Sequence, residues 1–167
     1  MFVGLDLSAV TGLTPIDMSW SYVARLREIW PRKLVIKGLV TREDAELAIE
    51  HGVDGLIVSN HGGRAEDSGR PTIDSLVDVT AGVRGRVPVI VDGGIRRGSD
   101  IFKTLALGAT AIGIGRPYIW GLASFGQVGI ERVLDILSSE LVTNMRQAGT
   151  RSIAEINGSY VIDNRKG

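Results

Sequence analysis

Four short apolar runs, each ending in polar or glycine residues, constrain this chain more than any other feature. Leu34-Val35-Ile36 runs into Lys37-Gly38, and Leu56-Ile57-Val58 runs into Ser59-Asn60-His61-Gly62-Gly63-Arg64. Val89-Ile90-Val91 runs into Asp92-Gly93-Gly94-Ile95-Arg96-Arg97, and Ala111-Ile112-Gly113-Ile114 runs into Gly115-Arg116-Pro117. The runs are rich in Val and Ile and do not alternate with polar residues, as in parallel strands buried on both faces. Helical patterns lie between them, so the repeating unit is strand, loop, helix, which argues for parallel βαβ connections. Strands joined in this way all end on one edge of the sheet, and the polar residues that follow them gather there. A closed barrel of this type uses eight strands, and an open doubly wound sheet also binds its ligand at the strand ends. Periodicity alone does not choose between part of a barrel and an open sheet.

The helices carry clear punctuation. Ser19 is placed to cap a helix over Trp20–Ile29, whose Tyr22, Val23, Leu26 and Ile29 make one apolar stripe. Thr41 caps the next, with Glu43 and Asp44 in its first turn and Gly52 after its end. Thr72 is expected to cap a third helix through Val83, and Ser99 a fourth, ended by Gly108. Residues Gln127 to Ala148 read as one long amphipathic helix with Val133, Ile136, Leu137, Leu141 and Met145 on one side, stopped by Gly149. Ser152-Ile153-Ala154-Glu155 has the capping-box form of a short final helix. One domain over 1–162 and a flexible polar tail over 163–167 are expected.

Composition narrows the function. The formal net charge is zero, so no polyanion partner such as nucleic acid is implied. The absence of cysteine excludes disulfides, thiolate metal sites and cysteine nucleophiles. No apolar run approaches the roughly 18 residues of a membrane span, and the N-terminus lacks the basic region of a signal peptide. A cytoplasmic protein is the expectation.

The strand ends suggest distinct chemistry. Asp92-Gly93-Gly94-Ile95-Arg96 places two glycines where a strand turns toward a helix, so backbone N–H groups can approach an anion closely. Arg96 and Arg97 add charge, and Gly115-Arg116 repeats the chemistry at the next strand end. A phosphate site is the functional reading; tight turns with solvent-facing arginines are the plain one. His61 follows a strand among small neighbours, where an imidazole has room to act as a general base. Arg64 is placed to hold a carboxylate through a bidentate contact. The plain alternative is a loop histidine and a surface arginine. Lys37 closes the first strand, either to stabilise developing negative charge or as a lysine reaching solvent at the sheet rim. His51, in the last turn of a helix, reads as structural.

The set VIKG, SNHGGR, DGGIRRGSDIFKTLALGA and GIGRP, in this order and spacing, resembles the FMN-dependent L-2-hydroxy acid oxidases and dehydrogenases. This is the group of glycolate oxidase, L-lactate and mandelate dehydrogenases and flavocytochrome b2. The likeness runs from about Val3 to Tyr160. It implies an α/β fold: the C-terminal half, strands five to eight, of a (β/α)8 TIM barrel with a long C-terminal helix. It also implies FMN as cofactor and oxidation of a small L-2-hydroxy acid to the 2-oxo acid. By resemblance, His61 matches the base that takes the substrate hydroxyl proton. Arg64 matches an arginine that binds the substrate carboxylate, and Lys37 the lysine beside flavin N1 and O2. Ser59 lies in the flavin pocket. Asp92, Gly94 and Arg96, with Gly115 and Arg116, match the FMN ribityl and phosphate site. IMP dehydrogenase-like barrels share a Gly-Gly phosphate turn but use a cysteine nucleophile, which this chain does not have.

Two departures shape the expectations. The family often reads Gln-Leu-Asp after the arginine, where this chain has Ala65-Glu66-Asp67. The family's active-site tyrosines, second substrate arginine and several flavin contacts belong to the first half of the barrel and have no counterpart here. A half barrel has two unpaired sheet edges, near Leu34–Lys37 and Ala111–Gly115, and an uncovered apolar face. The chain is therefore expected to work with a missing N-terminal half or to self-associate. The alternative is an isolated half barrel that binds FMN or another phosphate ligand without turnover.

Overall fold

The computed structural model describes residues 18–65 and 69–162. The expected tail, most of the Ala65-Glu66-Asp67 departure and the start of the resemblance lie outside the described residues. Four parallel strands, β1 (Val35–Leu39), β2 (Gly55–Val58), β3 (Val89–Asp92) and β4 (Ala111–Gly113), pair in the order β1-β2-β3-β4. Each strand lies beside the one before it, and nowhere does the order reverse as it does in a doubly wound sheet. The chain therefore builds the four consecutive parallel strands expected of half a barrel wall.

Strand register decides which side chains meet. Ile36 pairs with Leu56, and Val58 with Val91, on one face; Lys37 pairs with Ile57, and Asp92 with Gly113, on the other. The first face is covered by α2 (Arg42–Glu50) and α3 (Thr72–Val83). Leu56, Val58, Leu76 and Val79 are completely buried there, and Ala45, Ala48, Val83, Val89 and Val91 complete the core. Each large aliphatic side chain so buried contributes about 1.5–3 kcal/mol. Among the described residues no helix covers the opposite face. Ile57 and Ile90 are only half-buried and Val35 is 45% exposed. The expectation of strands buried on both faces thus holds for one face alone.

Helix starts differ from the sequence expectation in instructive ways. The Thr41 hydroxyl does cap α2, accepting from Asp44 N. Ser19 stands at the N-cap of α1 (Trp20–Ile29), but its hydroxyl bonds Ser21 Oγ rather than a backbone N–H. The α1 stripe is also incomplete, since Trp20 and Val23 pack on the core while Ile29 is exposed. In α3 the N-cap is Pro71, and Thr72 Oγ1 donates instead to Gly93 O. Helix α4 (Gly98–Ala106) has Arg97 at its N-cap, so Ser99 lies inside the first turn instead of capping it, and Asp100 Oδ2 folds back to accept from Arg96 N and Arg97 N. The expected final helix is a short 3₁₀ segment, Ile153–Glu155, in which Glu155 accepts from Arg151 N and Ser152 makes no cap bond, and a second 3₁₀ segment, Gly158–Tyr160, follows it.

The long helix α5 (Arg116–Ala148) begins eleven residues earlier than expected from its periodicity, with a break at Phe125 and Gly126. Its first arm, 116–124, folds against its second, 127–148, through two glycines. A Cβ at Gly121 would lie 2.4 Å from Gly129 O, and one at Gly129 would lie 2.0 Å from Gly121 O. The second arm packs Val133, Leu137, Leu141 and Met145 against α4 and its surroundings, while Ile136, expected beside them, is 42% exposed. Its approach to α4 is equally close at Gly98, where a Cβ would meet Leu141 N at 2.2 Å. No described helix is long and apolar enough to cross a membrane.

Asp54, between α2 and β2, ties α1 to the sheet. Its carboxylate accepts from Lys33 Nζ at 2.9 Å, Leu34 N at 2.9 Å and Arg27 Nη1 at 2.8 Å. Lys33, the Leu34 N–H and Arg27 hold its carboxyl far below the usual carboxylate range. A depressed folded-state pKa stabilises above the unfolded value and loses that contribution as pH falls. The thermal stability of the wild type is expected to fall steadily below about pH 4. Asp54→Asn should lower the Tm at pH 7 and flatten that acid limb; an unchanged pH profile would show that Asp54 is not the linked group.

Candidate active site

The turns that leave β1 to β4 share one rim, and an open cleft of about 600 Å³ lies between them. Of the nine residues expected at the site, Lys37, His61, Arg64, Asp92, Gly94, Arg96, Gly115 and Arg116 line this cleft. Ser59 does not reach it; the residue is 1% exposed and acts from behind. A second cleft of about 410 Å³ adjoins it, sharing Gly94 and Arg116 and bounded by Asn60, Thr72 and Lys103.

Lys37 is held on the uncovered sheet face by two neighbours. Its ammonium pairs with Asp92 Oδ2 at 3.1 Å and donates to Ser59 Oγ at 2.7 Å. The sequence suggested separate duties for Lys37 and Asp92, and the structure joins them in one ion pair. Gly113 makes room for this, since a Cβ there would stand 3.0 Å from Asp92 Cβ. Ser59 Oγ also accepts from His61 N at 3.2 Å, so one hydroxyl links the lysine to the histidine's backbone.

His61 lies in an unusual conformation for a non-glycine residue, with φ 53°. Asn60 Oδ1 accepts from Gly62 N at 3.1 Å, and Asn60 Nδ2 donates to Arg70 O at 3.2 Å, which closes the loop around the histidine. The ring then lies against Gly38, whose absent side chain leaves it room: a Cβ there would be 3.1 Å from His61 Cε1. His61 and Arg64 are both exposed at the cleft. His51, by contrast, places Nδ1 2.9 Å from Leu47 O and its ring 5.2 Å from that of Trp20, as a structural residue does.

The two last strand ends are not equivalent. Gly94 has φ 79° with nothing within 4 Å of a Cβ position, and Gly115 precedes α5 without any side-chain cap. Arg116 makes no ion pair among the described residues. This donor set, open backbone N–H groups with an uncommitted guanidinium, fits a phosphomonoester. Arg97 does not belong to it. Its Nε donates to Glu140 at 2.9 Å, and Glu140 also accepts from Gly98 N at 2.7 Å. The Arg97 guanidinium and the Gly98 N–H hold the Glu140 carboxyl below its ordinary range. The start of α4 is thus satisfied from within, which leaves Gly94, Arg96 and the start of α5 as the groups that open on the cleft.

Sequence reasoning missed Asn60, Thr72 and Trp120. Asn60 carried the signal of a turn-forming side chain next to the Gly62-Gly63 pair, whereas Thr72, read as a helix cap, reaches Gly93 O only through the fold. Trp120 carried the signal of Pro117, a residue favoured in a helix's first turn, which placed a helix there. Gly38→Ala should cost about 1–2 kcal/mol, because its φ is +104°, and should displace His61. Denaturant unfolding and the His61 ring resonances measure the two effects; an unshifted histidine would refute the contact.

Similarity to known proteins agrees with the geometry. The family model described as FMN-dependent dehydrogenase matches residues 7–163. Human 2-hydroxyacid oxidase 2 is 48% identical over 151 residues, covering 89% of this chain and 43% of that protein. Spinach (Spinacia oleracea) glycolate oxidase is 44% identical over 154 residues, covering 92% of this chain and 42% of that protein. An Arabidopsis thaliana relative, 50% identical over 145 residues, covering 87% of this chain and 40% of that protein, is named a peroxisomal (S)-2-hydroxyacid oxidase, so the likeness does not carry the cytoplasmic expectation. A crystal structure of mandelate oxidase superposes with a TM-score of 0.79 at 41% identity, covering 84% of this chain and 43% of that one. The chain spans less than half the length of the relatives it matches, and its four strands are half of their TIM barrel. Sequence, strand order and site geometry together place the chain in the FMN-dependent dehydrogenase family, whose cofactor is FMN.

Proposed function

We propose that this chain supplies the base, substrate-carboxylate and FMN-phosphate half of a site that oxidises an L-2-hydroxy acid to its 2-oxo acid. The observation that carries the reading is the gathering of Lys37, His61, Arg64, Asp92, Arg96 and Arg116 around one cleft. FMN, when bound, accepts the two electrons that leave the substrate. His61 takes the hydroxyl proton on its imidazole, the side chain suited to proton transfer near neutrality. Arg64 holds the substrate carboxylate, and the Lys37 ammonium, set by Asp92 and Ser59, supplies positive charge where negative charge develops. Gly94, Gly115, Arg96 and Arg116 bind the phosphate. The rest of the pocket comes from a complementary half barrel that pairs with the open edges of β1 and β4 and covers Val35, Ile57 and Ile90.

A second reading follows from those same open edges: the isolated chain binds FMN or another phosphate ligand without turning substrate over. Flavin fluorescence during titration with FMN, followed by anaerobic addition of L-lactate, glycolate or L-mandelate, separates the two. Bleaching, by the chain alone or once a complementary half barrel is added, supports the first; binding without bleaching in both cases selects the second, and no binding removes both. Arg116→Ala should weaken FMN about tenfold to a hundredfold through its phosphate. His61→Ala should leave FMN binding nearly intact; if it abolished binding, the division of roles would be wrong. Size-exclusion chromatography with light scattering should show self-association, and a monomer at high concentration would count against the exposed edges.

A further inference from the structure

We propose that Trp120 is a positioning residue for the anion site: its ring face holds the Arg96 guanidinium and directs its free edge into the cleft. The inference rests on the phosphate-site reading and adds to it a residue that does not itself line the cleft. Arg96 spends Nη1 on Ile95 O at 2.8 Å, and its guanidinium carbon lies 5.1 Å from the centre of the Trp120 ring. The ring face carries partial negative charge and attracts the cation electrostatically. Trp120 is 54% exposed, so core packing does not account for a side chain of this size at this position.

The placement of Trp120 is as informative as its contact. It stands four residues after Arg116 on the first arm of α5, and residues at that spacing share a helix face. One arm therefore presents Arg116 at its start and, a turn later, the plate on which Arg96 rests. That arm cannot slide, because Gly121 and Gly129 bring its backbone against the second arm closer than any side chain would permit. Both arginines are thus set by one rigid element, although they lie on the turns of different strands. An unsupported arginine loses much rotamer freedom on gripping an anion, whereas one already held over an aromatic face loses less.

The test compares FMN with riboflavin, which has the same ring system and no phosphate, on the full chain. Trp120→Leu should weaken FMN roughly two- to thirtyfold and leave riboflavin affinity unchanged. Trp120→Phe should restore most of the loss, since it keeps an aromatic face. In an Arg96→Ala background, Trp120→Leu should add no further loss. Equal weakening of both ligands, unchanged FMN affinity, failed rescue by Phe, or a further loss in the Arg96→Ala background would each overturn the inference. Should Trp120→Leu fail to fold by circular dichroism, Trp120→Gln removes the ring face at an exposed helical position and is held to the same outcomes. Arg116→Ala separates the two layers of argument. If it leaves the FMN-to-riboflavin ratio unchanged, or if the wild type does not distinguish the two ligands, the phosphate site itself falls. If Arg116→Ala acts as expected and the Trp120 variants do not, only the role of Trp120 falls.

Discussion

Parallel pairing in unbroken sequence order is the constraint from which the rest follows. Because β1 to β4 lie side by side as they occur in the chain, every strand-to-helix turn opens on the same rim. Residues far apart in sequence are brought within bonding distance by register alone. Lys37 and Asp92 meet because Lys37 is opposite Ile57, Ile57 opposite Ile90, and Asp92 two residues further along the same face. The core on the other face keeps that register, since a slip of one residue would turn Leu56, Val58 and Val91 outward.

The sequence made the strands, and the gathering of the expected polar residues at one rim, legible for a physical reason. Short Val- and Ile-rich runs have few alternatives to a parallel strand when helical patterns separate them. Glycines and charged residues at their ends have little else to do in such a fold. The expected site residues accordingly lie together, with Ser59 behind Lys37 instead of at the surface. Long-range satisfaction was not legible. Thr72 turns to Gly93, Arg97 to Glu140, and Asp100 to the start of its own helix, and each choice depends on a neighbour that the local sequence does not specify. The first arm of α5 was hidden because Gly126 interrupts its periodicity, although Pro117 marked its beginning.

The two faces of the sheet contrast in what they can sustain. The helix-covered face has a closed core, and the site-bearing face leaves Val35, Ile57 and Ile90 partly open beside a well-formed ion pair. Local order at the rim comes from side-chain to backbone bonds within this chain, and not from coverage of that face. Asn60 closes the His61 loop, Asp100 and Glu140 complete the start of α4, and the Gly121–Gly129 contact anchors the start of α5. The rim can therefore keep its shape while the apolar wall beneath it still lacks a counterpart.

Ser59 carries a consequence of its own. Its oxygen receives hydrogens from both Lys37 Nζ and His61 N, which uses its two lone pairs. The hydroxyl hydrogen is then the only thing it can still offer, and its direction is set by the other two. Polarity at this point runs one way, from serine outward. A protein group packed on the remaining side of this buried serine meets a donor and must bring a lone pair, so a carbonyl oxygen fits there and an ammonium does not.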